Sequence, residues 1–411
     1  MKKKHHKRIE DGLAARHSAE KRFKCYGIIA LSCAGLLLAT LLFNLMVPGI
    51  SGLQHHMVTL NISLIDAKGQ NIRKVTRSAL YDMFGDVKKR RDKKILAKLL
   101  APRAEQYTQR GIDSAPQHRY NRKINVPLSS NADLWFKAGA PKERYGQYGL
   151  TEKQAEWLSK LQHRKAIVNE FNVSFFTQAD SRDLERAGFG GSIVGSLYII
   201  FVCLIVSLPI GVGAAIYLEE FAKPSKWRDL IEVNINNLAA IPSIIYGLLG
   251  LFVFLNLFGL PRSSPLVGGL TLSLMTLPII IISTRLALQN VPNTLRDAAR
   301  ALGASRLQVV MHHVLPLALP GIMTGTILGI ARAIGETAPL LMIGMVAFIA
   351  NAPQAVTDPA TAMPVQIYLW ASSPENGFIE KTASGILVLI AILLFLNLIA
   401  AFIRNKFETR W

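Results

Sequence analysis

Cysteine is scarce: Cys25, Cys33 and Cys203 are the only three in 411 residues. All three fall in or beside apolar runs, and the long hydrophilic stretch has none, so no disulfide framework is readable there. Metal-ligand spacing is also missing. His5-His6, His55-His56 and His312-His313 are adjacent pairs; neighbours on a helix diverge by about 100°, which makes each a poor chelate. No stretch reads G-x-x-x-x-G-K-[ST], and "GFGGS" at Gly188–Ser192 lacks the lysine of a phosphate loop. Acidic residues are few, 27 against 47 lysines and arginines, for a formal net charge of +20. That excess alone suits nucleic acid or the flanks of membrane spans. With 50% hydrophobic residues and a mean hydropathy of +0.28, a single ordinary soluble domain is excluded. Much of the basic excess lies in the hydrophilic stretch or beside apolar runs, so no nucleic-acid partner is expected.

What the chain has in abundance is long apolar runs. A membrane-crossing helix needs about 20 apolar residues, and six runs qualify: Tyr26–Val47, Ser192–Leu218, Ile235–Leu260, Pro265–Thr284, Ile322–Ile349 and Ala383–Ile403. The first exceeds the usual core of a signal peptide, which predicts an uncleaved anchor. Lysine and arginine in short flanks set the orientation. The N-terminal segment is strongly basic, the tail carries Arg404, Lys406 and Arg410, and the loop around Asp297 carries Arg296, Arg300 and Arg306. The loop Ala350–Thr382 has Lys381 alone against Asp358, Glu375 and Glu380. Six spans with both ends cytoplasmic satisfy all of these.

The expected fold is therefore a polytopic α-helical membrane protein with six transmembrane helices and an α+β insert after the first. Its parts are a basic cytoplasmic segment 1–25, an anchor 26–47, an outer segment 48–191, a five-helix core 192–404 with a cytoplasmic loop 293–320, and a cytoplasmic tail 405–411. The outer segment is basic, but long translocated domains are largely exempt from the charge rule. In it "MVTLNISLI" alternates like a strand. "TEKQAEWLSKLQHR" has helical spacing at Ala155, Leu158 and Leu161 with a Thr151 cap. "VKKRRDKKILAKLL", Val87–Leu100, sets six lysines and arginines beside Ile95, Leu96, Leu99 and Leu100. It fits a solvated helix with its apolar face in the domain core, in preference to a helix on anionic lipid or an anion-collecting patch.

The stretch "DAARALGASRLQVVMHHVLPLALPGI", Asp297–Ile322, lies between two apolar runs. Leu295, Ala298, Ala299 and Leu302 recur at helical spacing. Gly303 can end that helix in the left-handed conformation, and Ser305 can cap the next. Leu307, Val310, Met311 and Val314 continue an apolar stripe, which Pro316 and Pro320 close or kink. Two short helices joined at a glycine make a knob suited to a groove on a soluble partner, although the pattern also fits an amphipathic elbow on the membrane. Here a resemblance decides. The stretch resembles the coupling loop of ATP-binding-cassette importer permeases, matched by Asp297, Ala298, Ala299, Gly303, His313, Leu315 and Pro316 at the family spacing. Asp297 replaces a glutamate and His313 an isoleucine, which puts the reach of one contact and the packing of another in doubt. The resemblance implies that this loop couples the chain to a separate ATPase.

Arg332 and Glu336 are the two charges well inside the expected spans. Each would cost at least about 2.5–3.5 kcal/mol near the bilayer centre if left alone. Four residues apart, they can pair with each other or face a cavity or subunit interface. Pro339 can break the helix soon after them and aim a half-helix N-terminus at a pathway. Arg285 sits near the inner end of the fourth run. "ARAIGETAPLL" at Ala331–Leu341, "PIGVGAAIYLEEF" at Pro209–Phe221 and "LAAIPSIIYGLLGL" at Leu238–Leu251 resemble the PstA-type permeases of phosphate-specific importers. The resemblance covers about Gly191 onward and says little about 48–191. It implies a phosphate pathway shared with a homologous PstC-type permease, two PstB-type ATPase subunits that hold ATP-Mg, and a periplasmic PstS-type phosphate-binding protein. It also implies a location in the bacterial inner membrane and no cofactor or catalytic centre on this chain. Arg285, Arg332, Glu336 and Thr337 are the expected pathway residues. Competing expectations are a sulfate or molybdate permease and a membrane receptor with a periplasmic sensor domain.

Overall fold

A computed structural model describes residues 2–63, 71–85, 87–114, 121–141, 143–346, 348–375 and 377–407, with side chains from Arg16 onward apart from that of Ile403. Leu64 and Ile65 of the expected strand and Arg410 of the tail lie outside the described residues. Helix α1 (Lys2–Gly52) extends the anchor run in both directions. The most apolar part of it is unburied, and its C-terminal turns pack on the last helix of the chain, where Ser384 Oγ donates to Gly49 O at 2.8 Å.

An α+β unit follows. Strand β1 (Gln54–Ser63) is central in a three-stranded antiparallel sheet of order β2-β1-β3, with β2 (Asn121–Pro127) and β3 (Ile167–Phe171) at its edges. The register sets Val58 opposite both Val126 and Ile167. Alternation in β1 sends Val58, Leu60 and Ile62 into the core, where period two on a half-buried sheet requires them. Helices α2 (Ile72–Asp82), α3 (Arg90–Ala97), α4 (Ala104–Asp113), α5 (Ser130–Lys137) and α6 (Glu152–His163) complete the unit, with a short α7 (Val173–Thr177) after β3. Helix α6 opens with a capping box between Thr151 and Gln154 and buries Ala155, Leu158 and Leu161. The basic stretch forms α3, a solvated helix that sends Leu96, with Leu99 just beyond it, fully into the core.

The remainder is helical. Among the described residues five helices are long and apolar enough to cross a membrane, or six if one sharply bent pair counts as a span. Helix α8 (Gly190–Ile216) continues through a wider i→i+5 turn at Tyr217–Phe221. Helices α9 (Lys226–Ala239) and α10 (Ser243–Gly250) come next, the latter extended by a second wide turn at Leu251–Leu257. Then follow α11 (Pro265–Gln289), α12 (Asn293–Ala301), α13 (Arg306–Gln308), α14 (Leu315–Gly335), α15 (Ala338–Met342), α16 (Met363–Ala371) and α17 (Gly377–Phe407). Helix α11 is the hub and packs on α8, α14, α9 and α10. Small residues allow the close approach, as is usual where helices meet in lipid. A Cβ on Gly269 would lie 2.5 Å from Val202 Cβ of α8, and one on Gly325 would overlap Ser283.

The run Ile235–Leu260 is not one straight helix: α9 and α10 meet at 102°. Pro242 has no N–H to donate and biases Ile241 away from helical backbone, and Tyr246 Oη secures the bend by donating to Leu238 O at 2.6 Å. The helix of the run Ile322–Ile349 stops at Gly335. Of the two outcomes expected at Pro316 and Pro320, closing the helix does not occur, because one apolar helix runs from Arg306 to Gly335. A wide turn at Val309–Val314 precedes Pro316, and there Leu315 N–H donates to Val310 O. A locally widened helix accommodates a proline that cannot join the regular ladder.

Candidate functional site

The knob is built as its residues dictate. Helix α12 ends in a Schellman motif: Gly303 takes φ +88°, its N–H donates to Arg300 O at 2.9 Å, and Ala304 N–H donates to Ala299 O at 3.1 Å. Ser305 then caps α13, accepting from Gln308 N–H, while Gln308 Oε1 accepts from Ser305 N–H at 2.8 Å. The apolar residues divide between two faces. Ala299, Val309, Val310 and Val314 are buried, whereas Leu302 is 90% exposed and Leu307 and Met311 also face out. Asp297 is exposed and pairs with Arg300 at 3.4 Å. Ala298, His313 and Pro316 are exposed and Leu315 is half-buried, so His313 occupies no core position.

A buried ion pair ties the knob to the bundle. Arg296 Nη2 lies 2.7 Å from Glu220 Oε1, with side chains 9% and 7% exposed. The same guanidinium donates to Leu288 O at 2.9 Å and to Val291 O at 2.5 Å. Full hydrogen bonding is what makes a buried charge tolerable. Beside it Arg285 meets two carboxylates, Glu219 at 3.4 Å and Glu232 at 3.0 Å, and Gln289 donates to Glu219 at 3.1 Å. One polar network therefore joins the ends of α8 and α11 with α9 and α12. Sequence reasoning missed Glu219, Glu220 and Glu232. The signal was available in "YLEEF", two carboxylates at the edge of an apolar run.

Arg332 and Glu336 do meet, at 3.6 Å, with side chains 42% and 20% exposed. Glu336 is extended, at φ −77° and ψ 124°, and ends α14; Thr337 is half-buried, and α15 begins one residue later with Pro339 at its start. The break expected near Pro339 is present, although α15 is a single short helix. Helix α10 packs on α15, so the two interrupted stretches adjoin. Arg285 is not part of this group. Arg332 sits on the same continuous helix as Arg306, roughly 40 Å along at 1.5 Å per residue.

Interrupted helices, a charged pair at a break and an outward-facing helical knob on a hub of packed spans are features of a membrane permease. Residues 207–411 match the family described as binding-protein-dependent transport system inner membrane component, and residues 10–144 match a domain of unknown function, DUF3333. The probable ABC transporter permease protein YqgI of Bacillus subtilis is 32% identical over 243 residues, covering 56% of this chain and 82% of that protein. The phosphate transport system permease protein PstA of Haemophilus influenzae is 34% identical over 236 residues, covering 56% and 80%. The MetNI methionine ABC transporter, solved in inward-facing conformations, aligns with a TM-score of 0.42 at 20% identity, over 53% of this chain and 95% of that one. The chain belongs to the binding-protein-dependent transport system inner membrane component family and is an ABC importer permease subunit.

Proposed function

We propose that this permease carries inorganic phosphate inward, sharing its pathway with a homologous permease. A periplasmic binding protein delivers the ion. Two separate ATPase subunits, which hold ATP-Mg, engage the knob from the cytoplasm. In this reading both chain ends are cytoplasmic and residues 48–191 form a periplasmic unit. The substrate rests on relatives named as phosphate transport permeases. The coupling role rests on one observation: the apolar face of the knob turned away from its own bundle, with Leu302 90% exposed. ATPase closure pulls on that face. The Arg296–Glu220 pair passes the displacement to α8, and the continuous helix from Arg306 to Gly335 passes it to Arg332, Glu336 and Thr337. At the break Arg332 offers the anion a positive charge while Glu336 limits how tightly it is held. Arg285, already engaged by Glu219 and Glu232, braces the inner mouth.

The test is uptake of labelled phosphate by the assembled transporter, with sulfate and molybdate as competitors. Excess phosphate alone should compete. Arg332→Gln should reduce uptake more than tenfold while the complex still assembles. Competition by sulfate or molybdate would reassign the substrate, and loss of assembly would make the Arg332–Glu336 pair a packing device.

A further inference from the structure

Helix α9 meets the bundle along one stripe. Arg228 lies 3.8 Å from Glu219, and Glu232 lies 3.0 Å from Arg285. Ile235, the one fully buried residue of α9, clusters with Ala215, Leu218 and Ile281, and Ala239 is half-buried. These positions recur at i, i+4, i+7 and i+11 and so share a face. They also fix the direction of α9. It runs from the charged ends of α8 and α11 into the apolar run that contains Ile281. Asn236 and Asn237 follow Ile235 and lie within that apolar layer.

The other side of α9 is open. At about 100° per residue, Asn237 stands opposite the contact stripe, with Leu230 and Val233 beside it, 51% and 54% exposed. Asn234 and Asn236 flank it, and all three asparagines are exposed. Asn234 Nδ2 donates to Leu230 O of its own helix at 2.7 Å. The side-chain amides of Asn236 and Asn237 make no hydrogen bond among the described residues. Hydrocarbon offers an amide no partner, so lipid does not suit this face. A packed companion helix covers a stripe about 100° wide, whereas the three asparagines sweep about 160°. Polar residues at such depth otherwise face a water-filled cavity.

The open face leads to the break that carries Arg332 and Glu336. Tyr246 Oη donates to Leu238 O, one residue past Asn237. A Cβ on the adjacent Gly247 would stand 2.7 Å from Pro339 Cα, and Pro339 follows Glu336 by three residues. We propose that Asn234, Asn236 and Asn237 form one wall of the water-filled translocation pathway of this permease. Each amide presents two donors and an acceptor without charge. The wall therefore hydrates a passing solute and gives it no counter-ion to stop at. The choice of pathway over companion helix rests on reading the Arg332–Glu336 break as part of the pathway; the identity of the transported ion does not enter.

The experiment is thiol accessibility in the assembled transporter in nanodiscs, with Cys25→Ser and Cys33→Ser removing the exposed cysteines. Asn237→Cys and Asn234→Cys are each compared with Leu37→Cys, which lies on the unburied apolar part of α1. The probe is a negatively charged methanethiosulfonate. Both asparagine sites should react at least roughly tenfold faster than Leu37→Cys, and trapping the ATPases with vanadate should change their rates. Hydroxyl-radical footprinting of the wild-type complex needs no variant: Leu238 should be oxidised faster than Leu37. Reaction at both sites no faster than at Leu37→Cys, or equal oxidation of Leu238 and Leu37, overturns the proposal and assigns the face to lipid or to a sealed contact with the companion permease. Phosphate uptake by the wild type and by Arg332→Gln, measured in parallel, reports on the transport reading separately.

Discussion

Leu302 and Glu220 show how single residues divide the work of the knob. Leu302 touches little of its own chain, so Leu302→Asp should change stability by no more than about 0.5 kcal/mol. The permease should still insert, yet ATPase subunits should no longer copurify with it. Copurification at the wild-type level would remove Leu302 from the docking face. Glu220 is the opposite case. Its loss strands a buried guanidinium, and breaking such a pair costs about 3–5 kcal/mol. Glu220→Gln should lower the thermal midpoint of the purified chain and uncouple ATP hydrolysis from uptake. Retained coupling at reduced stability would make the pair a structural fastener only. Gly303 and Ser305 were legible from sequence because end signals are local. The division of Leu302 from Ala299 was not, since helical spacing places both on an apolar stripe and only the neighbouring helices decide which side is covered.

At the scale of elements, interrupted helices carry the interest. The 102° turn between α9 and α10 and the end of α14 at Glu336 are both proline-linked, but they meet only because Gly247 has no side chain. A Cβ there would stand 2.7 Å from Pro339 Cα. Gly247→Val should push α10 off α15 at a cost of about 1–3 kcal/mol and depress uptake more than it depresses assembly. Normal uptake would show that the two stretches move independently. The second break was anticipated at Pro339. The first was hidden inside an apolar run, because hydropathy reports the solvent a segment prefers and not its direction. Conversely, Pro316 and Pro320 read as a stop or a kink and lie in a continuous helix, where a wide turn absorbs what proline cannot supply.

On the scale of the whole molecule, the α+β unit and the core are tied through charge. Asp133 is the centre of that tie: its Oδ1 accepts from His56 N–H and faces His56 Nδ1, both at 2.8 Å, and its Oδ2 meets Lys137. Burial pushes the Asp133 carboxyl up, but the hydrogen bonds from His56 and the charge of Lys137 outweigh it and hold the pKa below the usual carboxylate value. The folded state thus gains stability from this group above about pH 4, the unfolded value, and loses it as pH falls through the lower folded value. Asp133→Asn should destabilise the full chain by about 1–3 kcal/mol at neutral pH, with the deficit shrinking under acid. A deficit constant from neutral to acid pH would mean that the charge of Asp133 contributes nothing. Asp133 and Lys137 are a local pair four residues apart on α5, but no sequence pattern links them to His56 or Glu380, which lie far away along the chain.

Sequence alone determined the membrane class, the number of apolar runs, the knob with its caps and the α+β character of the insert. Each is written in local composition or in a period of two or 3.6 residues, and solvent preference and backbone geometry act on neighbours. Tertiary structure alone decided which carboxylate meets Arg285 and Arg296 and which apolar face of the knob stays uncovered. Those outcomes depend on the packing of helices and strands remote in sequence, where a buried charge is satisfied by whatever group the fold brings beside it.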